Sequence, residues 1–225
     1  MATFLKGDIH GNLFEIIDFI NRFNLGKNDN IIILGDCGIT WRKDKKDLTQ
    51  NIKLWNECGN GVKLYFIDGN HENFNILNSL PIENNMGKIA DNIYHLRRGQ
   101  VYEFENKKIL VCGGADSIDK YRRIENFTWW KEESISQETI DDIPAGHYDY
   151  VLTHCCPRSV FEKNRIYLST LQFLDENKIN HNSEDMLEQL KNKITFDHWF
   201  FGHYHINCNL DEKFTCLFED FREVR

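Results

Sequence analysis

A chain of 225 residues with 41% hydrophobic content can bury a full core, and its formal charge of −8 excludes a general polyanion binder, since nonspecific nucleic-acid binding rests on phosphate neutralisation by Lys and Arg. The seven cysteines are odd in number and contain no CxxC pair, which predicts reduced thiols in a cytoplasmic setting rather than a secreted disulfide framework. The first residues run straight into a strand with no signal-peptide pattern, and no apolar run approaches the ~20 residues of a membrane helix.

The chain reads as one α/β domain over residues 1–225. Thr3–Lys6 is a short strand running into Gly7-Asp8-Ile9-His10-Gly11. Asn12 then fits an N-cap, and Leu13, Ile16, Ile17 and Ile20 repeat at helical spacing. Ile31–Leu34 is a buried strand by its continuous apolar run and ends in Gly35-Asp36-Cys37-Gly38. Lys43–Asp47 reads as a solvated face, and Leu48, Ile52 and Trp55 mark a second amphipathic helix that closes near Gly59-Asn60-Gly61. The strand Val62–Ile67 delivers Gly69-Asn70-His71-Glu72, after which Phe74 and Leu77 predict one or two helical turns. Glu72 reads as a carboxylate at that helix N-terminus.

Over 92–112, three short runs (Ile93–Leu96, Val101–Phe104, Lys108–Val111) predict an antiparallel meander ending at Gly113-Gly114. Residues 114–147 read as an insertion over the site, with Arg122, Arg123, Trp129 and Trp130 and a capped helix within Ser134–Ile143. Tyr148–Thr153 is a strand ending in His154, and Pro157 can open a helix. Residues 161–182 carry no clear element, and Ser183 is expected to cap a helix with Leu187, Leu190 and Ile194 on one face. Asp197–Phe201 is a strand ending in Gly202-His203-Tyr204-His205, and Ile206–Leu210 pairs with Phe214–Phe218 as a closing hairpin.

Five apolar runs therefore end in Asp8/His10, Asp36, Asn70/His71, His154 and His203/His205. In α/β sheets, ligands bind beyond the carboxyl ends of strands, so five such ends can converge on one site. Carboxylate, imidazole and amide oxygen together suit borderline divalent ions such as Mn²⁺, Fe²⁺ or Zn²⁺. Two Asp, one Asn and four His are too many for one tetrahedral zinc and suit two ions sharing a carboxylate.

In order and strand placement, these blocks resemble the signature blocks of calcineurin-like metallophosphoesterases from residue 7 to residue 205. The resemblance implies two packed mixed β-sheets flanked by helices, an αββα four-layer sandwich. It implies that Asp8, His10 and His205 hold one divalent ion, that Asn70, His154 and His203 hold a second, and that Asp36 bridges them. Mn²⁺ leads as the metal, with Fe, Zn or Ni as alternatives. Two cations would neutralise the phosphate oxygens and lower the pKa of a shared water, whose hydroxide attacks phosphorus in line. His71 would not bind metal; it would protonate the leaving oxygen or hydrogen-bond the phosphate, with an unperturbed pKa of about 6.5 suited to either form. The cysteines receive no role.

One departure is informative. Phosphoprotein phosphatases extend the second block as Gly-Asp-x-x-Asp-Arg-Gly, and here Ile39 and Thr40 stand where that Asp and Arg would be. Arg42, Arg122 and Arg123 are candidates to replace the lost phosphate-gripping cation. Trp129-Trp130 reads either as a platform for a base or as a hydrophobic anchor for the insertion. The aromatic, basic insertion resembles bacterial and phage phosphoesterases of unassigned substrate and, to a lesser degree, the lariat-debranching branch. The expected partner is a phosphorylated small molecule, nucleotide or nucleic acid, with a phosphodiester or nucleotide-type substrate favoured and no membrane involved. The alternatives are a phosphomonoesterase, of the phosphoprotein or dinucleoside polyphosphate kind, and a non-catalytic binding scaffold.

Overall fold

The computed structural model describes residues 1–41, 45–168 and 180–225. In chain order, Thr3–Lys6 (β1), Leu13–Phe23 (α1), Asn30–Ile33 (β2), Lys46–Cys58 (α2), Lys63–Phe66 (β3) and Phe74–Leu77 (α3) form the first half of an α/β sandwich. Ile82–Glu83 (β4), Met86–Ala90 (β5), Ile93–Leu96 (β6), Val101–Phe104 (β7) and Lys107–Cys112 (β8) follow. After the segment over 114–147, with Gln137–Asp142 (α4), come His147–Thr153 (β9), Arg158–Lys163 (α5), Arg165–Leu168 (α6), Asn182–Lys193 (α7) and Thr195–Phe201 (β10). Cys208–Asn209 (β11), Phe214–Cys216 (β12) and Phe221–Glu223 (β13) close the chain.

Among the described residues the strands form two mixed sheets, ordered β13-β1-β2-β3-β6-β5-β4 and β11-β12-β10-β9-β8-β7. The centre of each is parallel: β1, β2, β3 and β6 in one, and β12, β10, β9 and β8 in the other. Parallel strands end on the same edge, which brings the strand ends of the sequence together.

Period-two alternation sorts each central strand between two cores. Ile31, Ile33, Leu64 and Phe66 face α1 and α2, where Leu13, Ile16, Ile20 and Trp55 are buried. Ile32, Leu34, Tyr65 and Ile67 face the second sheet, against Ile109, Val111, Leu152 and Phe200. The far face of that sheet, with Leu110, Val151, Trp199 and Phe201, packs on Val160, Phe161, Leu187 and Leu190 of α5 and α7. The layers are helix, sheet, sheet, helix, and strands covered on both faces read as unbroken apolar runs for that reason.

The expected meander over 92–112 is instead split between the sheets. β6 lies parallel to β3 in the first sheet, and β7 and β8 form an antiparallel pair in the second. The closing hairpin is the shorter β11–β12 pair, and the final strand β13 crosses back to pair with β1 in the first sheet. Asn12 occupies the cap position of α1 without a side-chain cap hydrogen bond. Ser183 lies inside α7 rather than at its cap: its amide donates to Asp116 Oδ2 (2.6 Å) and its hydroxyl accepts from Ile135 N (3.1 Å). Within Ser134–Ile143, Ser136 caps α4 through Thr139 N. Arg42 and the rest of 42–44 lie outside the described residues, as does 169–179 of the stretch left unassigned by the sequence.

Candidate metal centre and active site

The loops after β1 and β2 are zipped by backbone hydrogen bonds, His10 N to Asp36 O (2.9 Å) and Gly11 N to Cys37 O (2.9 Å). Each loop places one buried carboxylate. Asp8 Oδ1 accepts from His203 N (2.8 Å), and Asp36 Oδ1 accepts from His71 N (2.8 Å), so each carboxylate ties its strand end to another. The Gly69 motif follows from this closeness: a Cβ there would sit 2.1 Å from Asp36 Oδ1. His10, Asp36, His203 and His205 all hold positive φ, a conformation costing about 1–2 kcal/mol per residue that the close loops enforce.

Two clusters result. In the first, His205 Nε2 lies 3.2 Å and His10 Nε2 3.8 Å from Asp8 Oδ2, with the two imidazole nitrogens 2.9 Å apart. In the second, His154 Nε2 lies 3.5 Å from Asp36 Oδ1, 3.2 Å from Asn70 Oδ1 and 3.3 Å from His203 Nδ1. His154 Nδ1 is 2.7 Å from Leu34 O, which can only accept, so Nδ1 carries a proton and Nε2 is the nitrogen turned toward the site. Asp8, Asp36 and His154 also lie close enough to share one ion, which links the clusters.

The donor set fits divalent cations. Asp8 Oδ2 is buried and makes no hydrogen bond, which is costly for a carboxylate oxygen unless a cation faces it. Burial works to raise both Asp carboxyls, yet the nearby His154 imidazole and other histidines hold both below the usual range. Burial opposes charging His154, but Asp36 and Asp8 overrule it and hold it up to about 10, so the site attracts positive charge. Burial, with His154 beside it, pushes His203 down to about 3, leaving it neutral and able to ligate.

His71 stands at the edge of both clusters, its Nε2 4.0 Å from Asp36 Oδ2. Burial pushes its imidazole down, Asp36 works against that, and Arg123 adds to it. Arg123 comes from the segment over 114–147. Its Nη1 and Nη2 lie 3.1 and 3.2 Å from the two ring nitrogens of His71, and its Nε pairs with Asp119 (2.9 Å). Arg123 borders a cavity of about 420 Å³ that opens beside Asp36, Asn70, His71, His203 and His205, with Ala115, Ile118, Phe161 and Tyr204 as its apolar wall. Arg122 is exposed and packs over the Tyr121 ring, away from the cavity lining. Trp130 is buried in the core beside α1 and α2, and neither it nor Trp129 lines the cavity, which fits the anchor role.

Glu72 differs in role from the sequence reading, and Asp68 has no place in it. Glu72 is fully buried and accepts from Cys37 N (2.8 Å) and Thr40 Oγ1 (3.4 Å), bracing the loop that carries Asp36. Burial, reinforced by Asp36, pushes its carboxyl up to about 8. Thr40, standing where phosphoprotein phosphatases have Arg, is therefore turned inward. Asp68, unnoticed in the sequence, is buried two residues before Asn70 and binds Arg98 and His95. The seven cysteines are free, and burial pushes the Cys155 and Cys156 thiols up, consistent with packing rather than chemistry.

The profile of the Calcineurin-like phosphoesterase family matches residues 4–207. The chain belongs to that family. A calcineurin-like phosphoesterase is a hydrolase of phosphoester bonds, and members typically bind two metal ions, for which the Asp8/His10/His205 and Asp36/His154 groups are the candidates. Similar curated proteins are a lariat debranching enzyme of Drosophila pseudoobscura pseudoobscura, 26% identical over 91% of this chain, and lariat debranching enzyme A of Xenopus laevis, 24% identical over 92%. The chain spans 42% and 43% of those proteins' lengths. A serine/threonine protein phosphatase structure from Saccharomyces cerevisiae overlays with a TM-score of 0.39 at 13% identity, covering 97% of this chain and 67% of that one. No helix among the described residues is long and apolar enough to cross a membrane.

Proposed function

We propose that this phosphoesterase hydrolyses phosphodiesters, of the nucleotide or nucleic-acid type, at a centre of two divalent ions, with Mn²⁺ the preferred metal. The observation that carries the proposal is the hydrogen-bond-free, buried Oδ2 of Asp8 beside the imidazole nitrogens of His10 and His205. Asp8, His10 and His205 would hold one ion; Asn70, His154 and His203 the other; Asp36 would face both. When bound, such ions neutralise phosphate oxygens and activate water.

The chain's own residues do the rest. His71 stands at the edge of the two ligand clusters and lines the cavity, where its ring can give a proton to the leaving oxygen. Arg123 holds its Nη1 and Nη2 against the His71 ring, and from there its guanidinium would reach a nonbridging phosphate oxygen as a charge-assisted pair. It supplies, from the inserted segment, the cation that the second block lacks. Arg122 has no such position.

Three features support a diester over a phosphoprotein. Ile39 and Thr40 replace the Asp-Arg pair and are buried. The cavity continues past His71 along an apolar wall, giving room for a second substituent on phosphorus. The curated relatives are named for debranching lariats, which leans toward a nucleic-acid substrate.

The test is parallel hydrolysis of bis(4-nitrophenyl) phosphate and 4-nitrophenyl phosphate, with Mn²⁺ and with chelator. Mn²⁺-dependent cleavage favouring the bis-ester is expected. Preference for the monoester would shift the substrate class to a phosphomonoesterase. Two bound ions without turnover of either ester would point to a substrate that the 114–147 segment must recognise first, and negligible metal content after Mn²⁺ loading would favour the scaffold reading.

A further inference from the structure

Five residues close a ring behind the metal centre, starting and ending on the loop after β3. Asp68 accepts from Arg98 Nε (2.6 Å). Arg98 Nη1 and Nη2 donate to Ser134 O and Glu133 O, both at 2.9 Å. Gly114 lets this arm pass: its φ is +109°, and a Cβ there would meet Arg98 Nη2 and Glu133 O at 2.7 Å. Glu133 is 1% exposed and accepts from Ser117 N (2.6 Å) and Ser117 Oγ (2.7 Å). Ser117 Oγ in turn accepts from Asn70 Nδ2 (3.0 Å).

The ring has a direction. A serine hydroxyl has one proton. With Glu133 ionised, that proton is donated to its carboxylate, so Ser117 Oγ can only accept from Asn70, which must turn its NH₂ toward it. The amide oxygen then faces His154 Nε2, 3.2 Å away. A reversed amide would set two lone pairs against each other at Ser117 and turn N–H groups into the metal centre. Oxygen and nitrogen of an amide are told apart by such a network, and this one leaves a single choice.

We infer that Ser117 and Glu133, both contributed by the inserted segment, are positioning residues that fix the Asn70 amide so that its oxygen faces the second ion. The inference rests on the reading that Asn70 ligates. The inserted segment would thereby do two things: present Arg123 to the substrate and complete the metal centre from behind. Outer partners of metal ligands are typically worth roughly 10–100-fold in metal affinity.

The test is calorimetric titration of the full chain with Mn²⁺ at about pH 8, above the value of about 7 to which burial pushes the Glu133 carboxyl. Ser117→Ala is expected to weaken one of two ions by roughly 10–100-fold and leave the other, at Asp8, His10 and His205, unchanged. That retained ion reports that the variant is folded. Ser117→Thr, which keeps the hydroxyl, should restore binding, and the isosteric Glu133→Gln should weaken the same ion. The decisive comparison is Ser117→Ala in an Asn70→Asp background. A carboxylate offers oxygen on both sides and needs no orientation, so Ser117→Ala should there change affinity by no more than about twofold. Equal loss in both backgrounds, no loss in either, or loss of both ions together would overturn the inference. A wild-type chain that binds no Mn²⁺ would overturn the ligand reading as well. Two ions in wild type with Ser117→Ala unaffected would sink the positioning role alone.

Discussion

Arg98→Ala perturbs the pair on which the ring depends. Asp68 is 2% exposed, and its carboxyl is held down to about 2 although burial works to raise it; Arg98 and then His95 oppose the burial. The gap from the ordinary 3.8, at about 1.36 kcal/mol per unit, corresponds to about 2 kcal/mol of stability at neutral pH. Breaking a buried ion pair from one side typically costs about 3–5 kcal/mol, and Arg98, with a side chain 16% exposed, belongs at the low end. The two estimates meet near 3 kcal/mol, which in a chain of this length lowers Tm by about 6–12 °C. The pairing contribution of Asp68 is present above 3.8 and lost as pH falls through about 2. In the variant, burial raises the carboxyl with only His95 opposing it, so protonation relieves the penalty. The gap between wild type and variant should therefore narrow as pH falls from about 7 toward 5. Thermal melts followed by circular dichroism on metal-free protein measure this directly. A shift below about 2 °C at neutral pH, or a gap that widens on acidification, would refute the reasoning.

Other substitutions separate the roles at the site. Asp36→Asn should reduce bound Mn²⁺ and turnover together, since it weakens the carboxylate proposed to face both ions; metal content against activity across a titration checks this. His71→Ala should keep both ions and lower kcat by about 10²–10⁴-fold on a diester with a poor leaving group, with a smaller loss on a nitrophenyl ester; an undiminished rate on the poor leaving group would remove the acid role. Arg123→Ala should raise KM by roughly tenfold or more, the scale of a lost charge-assisted contact of about 1.5–3 kcal/mol, while Arg122→Ala leaves KM near wild type.

The sequence makes the strand ends legible because each needs only local information: an apolar run, a glycine and a ligating side chain. Asp8, His10, Asp36, Asn70, His154, His203 and His205 come together because parallel strands deliver their carboxyl ends to one edge. What the sequence hides depends on distant partners. The run Ile93–Leu96 is a short strand-like run like its neighbours, and only its parallel pairing with β3 assigns it to the first sheet. Glu72 reads as a helix-terminus carboxylate because Cys37 N and Thr40 lie more than thirty positions away in sequence. Ser117, Glu133 and Arg98 carry no motif, and their relevance appears only when Gly114 brings the segment over 114–147 against the loop after β3. Arg123 is distinguishable from Arg122 only by the direction each side chain takes.

The measurement that bears most directly on the account is electron paramagnetic resonance of the full chain loaded with Mn²⁺, read together with metal content. The account predicts two ions per chain and the signature of a spin-coupled pair, abolished by Asp36→Asn. A stoichiometry of one or none, or two ions with only the uncoupled six-line spectrum, would contradict a shared centre built on Asp36.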